Sequence, residues 1–261
     1  MLEPKPSKVF AVGRAIQLWT LYGFRSPAEL VLEDLALALG VLVVEAPLAK
    51  ADARLIRKGP RGLVRVKQDI PEPGRKRFAV AHELGHWLIH KEQSQVNACT
   101  DQNMVAKYKA GAPEVEANYF AAELLMPEKL FTLRLRKSRP SFELIKDLAR
   151  EFDTSLTATA IRCAEVTNDY WAVVVSEEGS IRWWRGSENF EERFWIEAGT
   201  PLSPHSVAGS VFKGEPVPTG PVEVERDAWA ECKEGYDHDI LIEEVLPLSA
   251  YGQILSLLYL P

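Results

Sequence analysis

The residues most able to do chemistry in this 261-residue chain are His82, Glu83 and His86, which fall together in the run HELGH. On an α-helix, two histidines four apart share one face about a turn from each other, so both imidazoles reach a single ion. Zn2+ takes imidazole nitrogen at about 2.0–2.1 Å, and a carboxylate beside the first histidine stands where it can accept a proton from water. His82 and His86 are therefore the expected metal ligands, and Glu83 the expected general base. The bland alternative is a chance motif on an ordinary helix. Against it stand an apolar face made by Phe78, Ala81, Leu84 and Leu88, a third histidine at position 90, and acidic residues downstream.

A catalytic zinc needs a third protein ligand and an open position for water. The run EVEANYFAAELLMP over 114–127 presents two helical faces, one with Glu114 and Asn118, the other with Glu116 and Phe120. Spacing favours Glu114 as the ligand, with Asn118 one turn later placed to hydrogen-bond and orient a ligand. Phe120, Leu124 and Leu125 are expected to pack the helix. Glu123 is the other acidic candidate, read as a solvated or capping side chain. His90 continues the series 82, 86, 90, but one further turn along a straight helix carries it about 6 Å beyond His86. It is expected to face solvent or to support a ligand.

Stepping outward, the elements that must position these residues are legible from periodicity and breakers. Apolar spacing (Val9, Val12, Ile16, Trp19) predicts a helix over 8–22, and Ser26-Pro27 opens a second that Gly40 ends. Runs at 41–46, 53–57 and 62–68, the last two joined by a turn at 58–61, predict a small antiparallel sheet. The motif helix is expected over 75–89, a polar irregular segment over 92–113, and a helix over 114–125 that stops before Pro127. Helices follow near 128–137, 142–152 and 155–165. Beyond Asn168 strand-like runs take over, with a hairpin at Glu178-Gly179 and a buried final strand over 254–260.

Composition bounds the class. With 46% apolar and 26% charged residues the chain can bury a real core, which excludes a disordered or fibrous protein. A net charge of -6 argues against a protein that coats phosphate backbones. Cys99, Cys163 and Cys232 are odd in number and show no CxxC spacing, so neither a disulfide framework nor a cysteine zinc site is expected. No signal peptide or membrane span is read, and a cytoplasmic location is expected, with no membrane partner. Nothing in the sequence specifies an oligomeric state.

AHELGHWLIH (81–90) followed by EVEANYFAAELLMP (114–127) resembles the ImmA/IrrE family of metallo-endopeptidases. The resemblance continues through LIKDLAREFDTSLTATAIRCAEVT (144–167), similar to the helix-turn-helix that follows the protease core in IrrE-type members. More weakly, residues 193–217 and the C-terminus resemble a GAF-like sensor domain; the alternative is a small α+β domain used for packing or docking. The resemblance implies Zn2+ held by His82, His86 and Glu114. It implies cleavage of a helix-turn-helix transcriptional repressor, relieving repression of stress or DNA-damage genes. The implied fold is α+β: a mainly helical zinc-peptidase core with a small antiparallel sheet (1–130), a helix-turn-helix unit (131–168) and a C-terminal α+β domain (169–261).

Two rival readings accompany this one. A DNA-binding transcriptional regulator with a non-catalytic zinc site would use the 142–165 helices and the basic cluster Lys129, Arg134, Arg136, Lys137 and Arg139. Direct DNA binding is not expected, because Arg162 is the one basic residue between Ser155 and Glu165. A purely structural zinc site is disfavoured by the absence of spaced cysteines. His205, His238 and several tyrosines are available to stabilise an oxyanion, and spacing singles out none of them.

Overall fold

The computed structural model describes residues 6–49, 51–90, 98–99, 111–136, 138–233 and 238–261. Most of the irregular segment expected over 92–113, and Lys137 of the basic cluster, lie outside the described residues. Two compact units divide the chain: residues 1–131 with 149–158, and residues 132–148 with 159–261. The mixed α+β class expected from the sequence is observed.

The first unit opens with α1 (Lys8–Tyr22), whose N-terminus is capped by Ser7: its hydroxyl accepts the Phe10 N–H, and Gly23 closes the helix in the left-handed region. The buried face of α1 is Ala11, Ala15, Leu18 and Trp19, whereas Val9 and Ile16 are exposed. The expected stripe was thus rotated: the two alanines are the side chains that turn inward. A 3-10 turn at Pro27–Glu29 and then α2 (Leu32–Ala38) replace the single helix expected from residue 26. Leu30 breaks it, adopting φ -83, ψ 87 and burying its side chain.

β1 (Val41–Ala46), β2 (Ala53–Lys58) and β3 (Arg61–Lys67) form a sheet in the order β1-β3-β2, extended by β4 (Ala98–Cys99) on β2. β2 and β3 pair antiparallel across the Gly59-Pro60 turn, as expected. β1, however, pairs parallel with β3, so the sheet is mixed and not antiparallel. The register places Val41 beside Gly62, and the Gly62 N–H donates to Gly40 O at 2.9 Å. Apolar runs identify strands; they do not encode which neighbour each one takes.

Against this sheet lies α3 (Pro73–Ile89), and against α3 lies α4 (Ala112–Leu125). α5 (Glu128–Leu135), α6 (Phe142–Phe152) and α7 (Leu156–Val166) follow near their expected positions. The boundary between the compact units runs through α6 and α7, so the helical segment expected over 131–168 is shared between them.

The second unit is built on a five-stranded antiparallel sheet, order β6-β5-β11-β10-β8. Its strands are β5 (Trp171–Glu177), β6 (Ser180–Gly186), β8 (Val222–Glu225), β10 (Ile240–Leu248) and β11 (Gln253–Tyr259). The β5–β6 turn is Glu178-Gly179, both with positive φ, as a two-residue hairpin requires. Helices α8 (Glu188–Arg193) and α9 (Val207–Phe212) and a two-stranded pair, β7 (Phe194–Trp195) with β9 (Glu231–Cys232), complete it. Its core contains Phe190, Phe194, Ile196, Trp229, Leu241 and Leu258. Glu243 is fully buried there, accepting from the Val207 and Ala208 N–H groups and from Trp229 Nε1, all within 2.8 Å. Burial nevertheless holds its carboxyl above the ordinary glutamate range.

Candidate metal centre

α3 begins where Pro73 presets helical φ, and it is held to the sheet by Arg75, which grips Asp52 with two bonds of 2.8 and 3.0 Å. Its C-terminal carbonyls are satisfied from β2: Arg57 Nη2 donates to His86 O at 2.8 Å and Trp87 O at 3.1 Å. The Arg57 guanidinium also lies 4.3 Å over the Trp87 ring, and Trp87 Nε1 donates to Leu39 O. The helix that carries the motif is therefore fixed at both ends.

Gly85 lets α4 approach α3 closely. A Cβ there would lie 3.1 Å from Ala117 Cα and 3.1 Å from Phe120 Cδ1. This contact brings Glu114, in the first turn of α4, to the two histidines. Trp19 ties α4 to α1 by donating its Nε1–H to Leu124 O at 2.9 Å.

His82 Nε2 and His86 Nε2 face each other at 3.0 Å, and the two carboxylate oxygens of Glu114 lie 3.2 Å from His82 Nε2 and 3.3 Å from His86 Nε2. These three residues form a group that could hold a metal ion. A tetrahedral zinc with bonds of about 2.0–2.1 Å separates its ligand atoms by roughly 3.3 Å, so the donor triangle has the right size and chemistry. Burial of Glu114 opposes its ionisation, but its contacts with His82 and His86 outweigh that and hold the carboxyl well below its usual range. Burial keeps His86 neutral, pulling its pKa below the ordinary imidazole value despite the Glu114 contact. A neutral imidazole and an ionised carboxylate are the forms that ligate.

Glu83 is 1% exposed, and both of its carboxylate oxygens are buried without a hydrogen-bond partner among the described residues. Burial raises its pKa to about 7; the positive field of His82 opposes the rise and Glu114 adds to it. The backbone of Leu55 also favours the charged form slightly without making a well-aligned hydrogen bond. A buried carboxylate with no partner is costly unless a water or ion belongs beside it. Its place next to the donor triangle fits a site built for both.

The residues expected to support the site fall as follows. His82 Nδ1 lies 2.8 Å from Asn118 Oδ1, the orienting contact that spacing assigned to Asn118. Glu123 is buried, and its Oε1 accepts the Glu128 N–H, so it caps α5. Phe120, Leu124 and Leu125 are core residues. His90 does not face solvent: its Nδ1 is 3.1 Å from His86 Nδ1, and its Nε2 is 2.8 Å from Glu116 Oε2. Sequence reasoning assigned Glu116 only to the opposite helix face; the i, i+4 spacing of His86 and His90 was the signal that could have found this pair. In the second unit, His238 Nε2 lies 3.0 Å from Arg193 Nη1, and His205 is exposed.

Known proteins share parts of this chain. Residues 36–164 match the peptidase family model described as the IrrE N-terminal-like domain. Over 95 residues the chain is 32% identical to the radiation response metalloprotease IrrE of Deinococcus deserti, covering 36% of this chain and 34% of that protein. The match thus spans about a third of that relative's length. A solved structure titled a Mycobacterium tuberculosis transcriptional regulator superposes with a TM-score of 0.59, covering 96% of this chain and 76% of that one. At 16% identity that likeness shows the fold alone. Through the domain at residues 36–164, which carries the His82, His86 and Glu114 triangle, the chain belongs to the ImmA/IrrE family of metallopeptidases.

Proposed function

We propose that this chain is a cytoplasmic zinc-dependent endopeptidase that hydrolyses a peptide bond in a helix-turn-helix transcriptional repressor and so switches on a stress or DNA-damage response. His82, His86 and Glu114 hold the Zn2+, and Glu83 is the general base. The observation that carries the reading is the pairing of a three-donor triangle of zinc dimensions with the buried carboxylate of Glu83, which has no hydrogen-bond partner among the described residues. When bound, Zn2+ supplies Lewis acidity, polarising a carbonyl and lowering the pKa of water. Glu83 takes a proton from water at one carboxylate oxygen and later delivers it to the departing amine, so one side chain serves first as base and then as acid. Asn118 keeps the His82 ring oriented throughout.

In this reading α6 and α7 are a helix-turn-helix unit serving structure or substrate docking, and residues 169–261 are a GAF-like sensor or docking module. The DNA-binding alternative draws little support, since Arg162 on α7 is only 3% exposed. The test is to incubate the purified chain with Zn2+ and candidate repressors. Chelator-sensitive cleavage that Glu83→Gln lowers by about 10²-fold or more, with zinc still bound, is the expected result. A Glu83→Gln variant that cleaves normally would refute the role of Glu83. Salt-dependent binding to duplex DNA without cleavage would favour the regulator.

A further inference from the structure

The two α3 histidines are supported from behind in different ways. His82 meets an amide oxygen, that of Asn118. His86 meets another imidazole, His90, and behind it a carboxylate: His90 Nε2 lies 2.8 Å from Glu116 Oε2. Glu116 is held in turn, because its Oε1 accepts the backbone N–H of Ser7 at 2.8 Å, at the cap of α1. The His86, His90 and Glu116 side chains are only 7%, 10% and 16% exposed, so the chain of contacts is largely sheltered from water.

Every bond in this series has a defined direction once His86 offers its Nε2 lone pair to a cation. The neutral ring then carries its proton on Nδ1 and donates it to His90 Nδ1. His90 must in consequence hold its own proton on Nε2, where it donates to Glu116. An ionised carboxylate only accepts, so its other oxygen takes the Ser7 N–H, and nothing in the series is left unmatched. The reverse arrangement would put the His86 proton on Nε2, pointing at His82 Nε2 and Glu114, where it would block ligation. The series therefore selects the ligating tautomer. A carboxylate one ring removed also makes the donor ring more basic, as metal-bound histidines commonly require.

We infer that His90 and Glu116 are a positioning relay, anchored on α1 through Ser7, that fixes the tautomer and ring orientation of His86 for metal binding. This rests on the metal-centre reading above. It adds a second route of support, distinct from Asn118, that joins the first helix to the site.

The test is zinc affinity of the full chain, measured by competition with a chromophoric chelator, with melting of the metal-free forms as a folding control. His90→Leu should bind zinc about 10–100-fold more weakly. His90→Gln, whose amide oxygen can accept from His86 and whose NH2 can reach Glu116, should stay within about threefold of the parent. Glu116→Gln should fall between them, and it tests the relay independently should His90→Leu not fold. Imidazole 15N shifts of the zinc-loaded protein should place the His90 proton on Nε2. Parent affinity in His90→Leu or Glu116→Gln would overturn the relay, as would a loss in His90→Gln equal to that in His90→Leu. A folded parent that takes no zinc would instead defeat the metal-centre reading, and it would do so before any variant was made.

Discussion

Glu83 is the most unusual residue of the site, because the fold leaves its carboxylate only 1% exposed and gives it no well-aligned hydrogen bond among the described residues. With its pKa raised from 4.5 to about 7 by burial, the folded metal-free protein keeps a proton that the unfolded chain releases between those values. Stability contributed by the protonated side chain is complete below about 4.5 and is lost as pH rises through about 7. Glu83→Gln cannot ionise, so the metal-free parent should lose stability relative to that variant over this window, by about 3 kcal/mol at most. Denaturant unfolding at a series of pH values in the presence of a chelator checks this. Comparing the two proteins cancels the opposite trends contributed by His86 and Glu114, whose charged states the fold treats in other ways. Stability curves that stay parallel from pH 4.5 to 7 would show that Glu83 is not desolvated.

At the scale of elements, the site depends on how closely backbones approach. A Cβ on Gly74, at the start of α3, would lie 2.3 Å from Thr154 C and 2.4 Å from Ser155 N in the turn between α6 and α7. Gly74→Ala should therefore lower stability by about 1–3 kcal/mol or more, read as a drop in melting temperature, with little direct effect on metal ligands. Gly85→Ala has a different signature. The added methyl pushes on Ala117 and Phe120 of α4, the helix that carries Glu114 and Asn118, so zinc affinity should fall even where melting is nearly unchanged. Gly85→Ala with parent zinc affinity would show that α4 yields without moving its donors. Local spacing made much of this legible. The i, i+4 pairs 82/86 and 114/118 and the breakers Gly40 and Pro127 act over a few residues, and the structure follows them, although the motif helix starts at Pro73, two residues before its expected start. What local spacing hid depends on distant partners: the parallel β1–β3 pairing, the alanine face of α1, and the contact of His90 with Glu116, a residue held in turn by Ser7, 109 positions before Glu116 in the chain.

For the molecule as a whole, the division of labour follows the two compact units. His82, His86 and Glu114 all belong to the first, whereas the five-stranded sheet of the second has its own core and a buried Glu243 already matched to three donors. The family match ends at residue 164, while the likeness in fold to the solved structure covers 96% of the chain, so the fold of the second unit is shared with a known structure. Metal binding should then be felt unevenly. A ligand at a thousand times its Kd adds about 4 kcal/mol to whatever must unfold to release it. Amide hydrogen exchange in α3 and α4 should accordingly slow by up to roughly a thousandfold on adding Zn2+, while amides of β5 and β11 should exchange at unchanged rates. Equal slowing in both units would mean that they open as one cooperative body. No slowing in α3 and α4, with the protein folded and zinc in excess, would mean that the donor triangle does not hold the ion.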